Sequence, residues 1–398
     1  MKESSKMSKY DFDEIIDRKE TGSVKWDHFK GMYPEYNVTA DVLPMWVADM
    51  DFRCPQAVVN VLKKRAEHGI FGYTSLEEGF FTAVQSWLGR RLGWHIDTGW
   101  IVPTPGVVPA VTYAVQSFTE EGDGVLIQTP VYYPFKNSCI KLNKRRAEEA
   151  KLIEKDGFYE IDFDDFEAKA SKPDVKLFIL CSPHNPVGRV WTHEELERMI
   201  KICQKHDVLI FSDEIHSDLI MHGYKHTATG LIDKKNLIAA YAPSKTFNLA
   251  GLKMSVIVIP DDSIRRRFKA QIARDEAGGT NCFAPAALET AYNECEDWLE
   301  ELLDYIDGNL RYTAEYINNN IPGVKARKAE GTYFLWADFR GTGLSTKEIN
   351  RMVLEEAKIA GDLGEWFGET GAGFVRVNLA CPRSTAEEML KRLEKAFC

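Results

Sequence analysis

Paired cysteines are missing from this sequence. Its eight cysteines, at positions 54, 139, 181, 203, 282, 295, 381 and 398, include no Cys-x-x-Cys pair and no neighbouring histidine at metal-ligand spacing. That argues against a disulfide framework and against a zinc site, and most of them read as small buried hydrophobes. Basic charge is also in deficit. Against 60 acidic residues stand 50 basic ones, and no basic tail or stripe offers itself to a phosphate backbone, so nucleic acid is not an expected partner. Long apolar runs are absent too: Met1 to Glu14 is charged throughout, without the apolar stretch of a signal peptide, and no later segment has the length to span a bilayer. A cytoplasmic protein without a membrane partner is expected. There is no internal repeat and no low-complexity run.

What is present is the composition of an ordinary globular chain, 398 residues with 44% hydrophobic and 28% charged side chains, enough for a large core in two or three domains. Short β-rich runs at Gly124–Gln128, Leu177–Cys181, Val208–Ser212, Leu237–Tyr241 and Ser255–Ile259 are separated by longer segments with helical spacing, such as Thr192–Lys205. The alternation predicts an α/β domain with a mostly parallel sheet covered on both faces. The last third changes character. A long amphipathic helix over Asp297–Asn319 precedes strand-like runs at Gly331–Asp338 and Gly373–Ala380, which predicts a smaller α+β domain beginning near Phe283–Leu288.

Open α/β sheets bind ligands at the carboxyl ends of their strands, and unusual polar residues recur there. Lys245 follows an apolar strand and an Ala-Pro corner, where an amine would be held rigidly in a crevice; the plain alternative is a solvated lysine. Asp213 ends the most hydrophobic strand and offers a carboxylate, unless it caps a helix. Asn185 sits in the turn Asn-Pro-Val-Gly188, which can aim its amide, and His216 lies one short turn beyond Asp213. Tyr132 and Tyr133 point different ways, so one can stack on a flat ring while the other reaches substrate; core packing is the competing account. Gly106, Val107 and Val108 precede a helical run over Ala110–Phe118 whose free N–H groups would cradle an anion, with Ser244 or Lys253 adding a donor or a charge. Arg376, in an apolar strand, is explained by a substrate carboxylate or by a structural salt bridge. The segment Trp46–Phe52 would either close over this site or form an edge strand. An amine, an acid, an amide donor, a ring platform and an anion cradle are together what pyridoxal 5'-phosphate (PLP) requires, which points to chemistry at the α-carbon of an amino acid.

Taken together, Trp46-Val-Ala-Asp-Met-Asp-Phe52, Pro130-Val-Tyr-Tyr-Pro-Phe135, Ser182-Pro-His-Asn-Pro-Val-Gly-Arg-Val-Trp191, Ser212-Asp-Glu-Ile-His216 and Ala242-Pro-Ser-Lys-Thr-Phe-Asn248 resemble the fold-type I PLP-dependent enzymes of the aminotransferase superfamily. The likeness is closer to its MalY/PatB-type cystathionine β-lyases, the cystalysin-like branch, and runs from about Tyr10 to the C-terminus. The resemblance implies a large PLP-binding domain over 51–287 with a mostly parallel seven-stranded sheet flanked by helices. It also implies a small domain from 1–50 and 288–398, and a homodimer with shared active sites. By motif position it implies that Lys245 is the Schiff-base lysine, Asp213 the pyridine partner, Asn185 the donor to the phenolic oxygen and Tyr132 the stacking ring. Arg376 becomes the carboxylate anchor, Tyr133 a catalytic and substrate-side residue, and Ala48 a backbone position near the substrate. Tyr73 becomes a tyrosine sent across the dimer to the other subunit's phosphate. Where many relatives carry an arginine for the phosphate, this chain has Lys253. The activity implied is β-elimination from L-cystathionine or another L-cysteine conjugate; an aminotransferase is the nearest alternative, and a regulator acting through a protein partner is another.

Overall fold

The short apolar runs between residues 101 and 258 are joined by connections long enough for a helical crossover, and that is what permits parallel pairing. In the structure, a computed structural model that describes residues 9–398, they form one sheet; residues 1–8 of the charged N-terminal segment lie outside the described residues. Its strands are β1 (Ile101–Thr104), β2 (Gly124–Thr129), β3 (Arg146–Lys151), β4 (Val175–Cys181), β5 (Leu209–Asp213), β6 (Leu237–Tyr241) and β7 (Ser255–Val258), in the spatial order β1-β7-β6-β5-β4-β2-β3. From β6 to β3 every neighbouring pair is parallel, while β7 runs antiparallel to both β1 and β6. The fold is α/β with a mixed, mostly parallel seven-stranded sheet flanked by helices, the class the residues predict and the strand number the resemblance implies.

Side chains alternate faces along each strand, and the core divides accordingly. Leu126, Phe178, Ile210, Ala239 and Val256 fall in one apolar cluster; Ile127, Ile179, Phe211, Ile238 and Ile257 fall in another. Two strands escaped the sequence reading for physical reasons. β3 is an edge strand, Arg-Ala-Glu-Glu-Ala-Lys, whose charged residues leave it neither an apolar run nor a regular alternation, and β1 is four residues long and contains Pro103, which only an edge tolerates readily.

Helix His193–Lys205 starts where Thr192 and Glu195 satisfy each other's backbone N–H groups in a reciprocal cap. The helix after β1 covers Val107–Phe118, three residues earlier than its apolar spacing indicates, because Pro109 is accommodated in the first turn, where its missing N–H has no partner to lose. At the other end of the chain, helix Glu296–Asn320 packs beside an antiparallel sheet of β8 (Lys325–Ala326), β9 (Phe334–Asp338), β10 (Asp362–Leu363) and β11 (Phe374–Asn378), ordered β8-β9-β11-β10. β9 begins later than the apolar run does, since Thr332 has φ of 71° and leaves the extended conformation. Leu43–Pro44 pairs in parallel with Ile359–Ala360, and Phe29, Tyr33 and Trp46 share a small core with Leu354 and Leu363. The start of the chain is thereby fastened to its last third. Among the described residues no helix is long and apolar enough to cross a membrane.

Candidate active site

Strands β1, β2, β4, β5 and β6 run in one direction, so their carboxyl ends share one edge, and the loops and helices after them border the same cavity of about 330 Å³. Asp213 is the last residue of β5. Ser244 and Lys245 lie in the short helix Pro243–Thr246 after β6, Asn185 in the loop after β4, Tyr132 after β2, and Gly106, Val107 and Val108 after β1. Ala48, His216 and Lys253 also line it.

Lys245 donates from Nζ to the carbonyl of Ala48 at 2.8 Å. Burial draws its pKa down to about 8, against the pull of Asp49 and Asp213 and with the help of Arg376. The Trp46–Phe52 segment therefore borders the site, and none of it forms the edge strand weighed for it: the strand before it, Leu43–Pro44, has already ended. Asp213 is buried, and burial pushes its carboxyl up to about 7 despite the Ile215 N–H at 3.1 Å and the charge of Lys245. Its strand leads into a hydrogen-bonded turn instead of a helix, so it caps none, and the carboxylate is left facing the cavity. His216 packs edge-on against Tyr333 and Phe334, its Nδ1 has no partner among the described residues, and burial holds it well below the usual histidine range.

The Oδ1 of Asn185 accepts from Nη1 of Arg376 at 2.8 Å, so the donor Asn185 retains for the cavity is its Nδ2. Arg376 is 2% exposed and also donates to the Trp46 carbonyl at 3.0 Å and to the Asp362 carboxylate. The salt bridge weighed against a substrate role thus exists, and the guanidinium still has an Nε without a partner among the described residues. Tyr132 presents its ring to the cavity, braced edge-on by Phe135. Tyr133 stands behind the wall, packed against Trp366 and Phe367, with burial raising its hydroxyl to about 12. Val107 and Val108 open the helix, so their N–H groups lack intrahelical acceptors, and Gly106 lets the backbone approach the cavity at φ of 153°. Tyr73 does not join this site within its own chain; it is 111% exposed, with Ile70 and Phe71 exposed beside it.

Three participants had no sequence signal. Asp362 meets Arg376 only through the register of β10 and β11, Tyr333 donates to the same Ala48 oxygen as Lys245 at 2.8 Å, and Cys181 lines the cavity as a buried thiol. The residues present fit PLP: an amine at Lys245, a carboxylate at Asp213, a ring platform at Tyr132, an amide at Asn185, and free helix N–H groups at Val107 and Val108 with Ser244 and Lys253 in the same wall.

Residues 40–393 match the family described as Aminotransferase class I and II. The sequence is 44% identical, over 97% of this chain and 99% of the relative, to cystathionine beta-lyase PatB of Bacillus subtilis (strain 168). Among solved structures, it superposes on the PLP-bound putative aminotransferase from Clostridium difficile 630 with a TM-score of 0.94 at 44% identity, covering 98% of this chain and 100% of that one. It also superposes on cystalysin from Treponema denticola, which contains a pyridoxal 5'-phosphate cofactor, with a TM-score of 0.92 at 44% identity, covering 97% and 98%.

Proposed function

The chain belongs to the aminotransferase class I and II family, and from that premise we propose that it is a PLP-dependent carbon–sulfur β-lyase acting on L-cystathionine or related L-cysteine conjugates. The products are pyruvate, ammonia and a thiol, homocysteine or sulfide according to the conjugate. The observation that carries this reading is the convergence of Lys245, Asp213, Asn185 and Tyr132 around one cavity, with Arg376 hydrogen-bonded to Asn185, in a chain whose full-length likeness is to a cystathionine β-lyase.

When bound, PLP supplies an aldehyde for the substrate's amine and an electron-poor ring that accepts the electrons released at the α-carbon. Lys245, whose amine is already easy to deprotonate, takes the α-proton at Nζ. Asp213 keeps a proton on the ring nitrogen, and the cation it then faces favours its ionised form. Arg376 grips the α-carboxylate, Asn185 donates to the phenolic oxygen and borders the carboxylate, and Tyr132 supports the ring face. The N–H groups of Val107 and Val108, with Gly106, Ser244 and Lys253, hold the phosphate, and His216 closes the cofactor's flank. Ala48 offers its carbonyl beside the substrate, and Tyr133, packed on Phe367, backs the leaving-group side. Breaking the Cα–H and Cβ–S bonds passes the α-proton through Lys245 to the departing thiolate; water then converts the released three-carbon fragment to pyruvate and ammonia.

In this reading the large domain, 51–287, supplies the cofactor residues, while the small one, 1–50 with 288–398, supplies Ala48 and Arg376. The protein works in the cytoplasm as a homodimer. The exposed Tyr73, which touches nothing functional in its own chain, reaches the partner's phosphate site and takes part in catalysis there.

The test is to supply the PLP-loaded protein with L-cystathionine and no keto acid, and to follow pyruvate and free thiol with Lys245→Ala as control. Stoichiometric pyruvate and thiol, lost in the variant, is the expected result. Absence of both, beside transfer of the amino group to an added keto acid, would replace the lyase with an aminotransferase, a reading favoured by the likeness to the Clostridium difficile protein.

A further inference from the structure

Arg376 in β11 lies directly opposite Asp362 in β10. Both are buried, at 2% and 1% exposure. The guanidinium is flanked by the rings of Phe334, 4.0 Å from its centre, and Phe367, at 5.0 Å, so its plane has little freedom. Nη1 donates to Asn185, and Nη2 donates both to the Trp46 carbonyl and to the Asp362 carboxylate. A guanidinium can grip a carboxylate with two parallel bonds on either of two edges, Nε with Nη2 or Nη1 with Nη2. Both edges use Nη2, and both hydrogens of Nη2 are engaged. A substrate carboxylate arriving on either edge competes with what is there, and brings a second anion to a single buried cation. One unneutralised charge in such a place is costly.

Resting on the assignment of Arg376 as carboxylate anchor, we propose that Asp362 is the counter-ion that substrate replaces: as the α-carboxylate binds, Asp362 takes up one proton from solvent, so the site keeps one anion for its one guanidinium. The titratable groups facing Asp362 are Arg376 from β11, Tyr33 from the N-terminal segment, and Tyr132 and Tyr133 after β2. The three tyrosines are raised by burial and stay neutral through the physiological range. None of these neighbours exchanges a proton in that range, which leaves the exchange at this pair to Asp362. Burial already pushes it up to about 6 against the pull of Arg376, and a second carboxylate raises it further. The Oδ1 of Asp362, which has no partner among the described residues, is the oxygen free to accept the proton.

The linkage has a definite sign. A ligand that raises a group's pKa binds more tightly as pH falls between the free and bound values, by up to about tenfold per pH unit for one proton. The test is calorimetry of the PLP-loaded protein with 3-(methylthio)propanoate, a carboxylate without an amine and so unable to react with the cofactor. Titrations near pH 7.5 in buffers of different ionisation enthalpy count the protons taken up, and absorbance of the bound cofactor counts separately any proton that goes to Lys245. Expected are about one proton per carboxylate bound beyond the cofactor's share, affinity that climbs toward lower pH, and loss of both effects in Asp362→Asn. Binding by the wild-type protein without proton uptake overturns the proposal, with no need of a variant that folds. Uptake that survives Asp362→Asn overturns it as well. Neither result touches pyruvate formation from L-cystathionine, on which the lyase reading stands or falls.

Discussion

The amine of Lys245 and the hydroxyl of Tyr333 donate to one atom, the carbonyl oxygen of Ala48, each at 2.8 Å. The carbonyls on either side, Val47 and Asp49, both accept from the side-chain amide of Asn378, each at 2.7 Å. A strandless segment from the start of the chain is thus fixed by side chains that come from near its end and from the sheet edge. With no regular strand partner of its own, the segment is held by these donors together with Arg376, Asn248 and Lys25. Removing one of two donors in Tyr333→Phe should cost about 1 kcal/mol of stability, whereas Asn378→Ala strands two acceptors and should cost about 1–3 kcal/mol for each. Denaturant unfolding of both variants measures this, and equal stabilities would show that the segment is held some other way.

Replacing one member of the Arg376–Asp362 pair should be worse than replacing both. Arg376→Ala leaves an uncompensated buried carboxylate and should destabilise the protein by about 3–5 kcal/mol, while Arg376→Met with Asp362→Leu should restore most of that loss. A double variant no more stable than the single one, in the same unfolding assay, would mean that the pair's geometry and not its charge balance is what the core requires.

The lowered pKa of Lys245 makes two pH predictions for the cofactor-free protein. Because the folded protein binds fewer protons at this site than the unfolded chain between about pH 8 and 10.5, stability carries a penalty below about 8 that is relieved as pH rises through that window. Because the free amine is the nucleophile, the rate of PLP capture, followed by absorbance, should rise along a titration centred near pH 8 and vanish in Lys245→Ala. A midpoint near 10.5 would place the amine in water.

The exposure of Tyr73 together with Ile70 and Phe71 predicts a particle of twice the chain's 45.2 kDa in sedimentation equilibrium. If Tyr73 serves the partner's phosphate site as proposed, Tyr73→Phe should keep the dimer and weaken PLP, since it removes the hydroxyl assigned there. A monomer with full PLP affinity would remove Tyr73 from the site altogether.

The chain's periodicity and punctuation determined the α/β class, the direction of the sheet edge and most of the cavity wall. Apolar runs of strand length specify β4, β5 and β6 through local preference and two-sided burial, and the polar residues directly after them, Asn185, Asp213 and Lys245, must appear at the carboxyl edge wherever those strands pair. That inference needs only neighbours in sequence. Where a local signal was weak or two-edged it misled or was silent: the charged, non-alternating run Arg146–Lys151 hid the edge strand β3, and Pro109, tolerated in a first turn, hid the start of the helix at Val107. Asp362, Tyr333 and Tyr73 lay beyond any local rule. Asp362 meets Arg376 through strand register, Tyr333 meets Ala48 across 285 positions, and Tyr73 is turned away from its own cavity. Periodicity and turn chemistry act over a few residues, whereas register, burial and the sharing of a single acceptor or cation are settled only when distant segments pack, and that packing decided which charges and carbonyls surround Lys245 and Arg376.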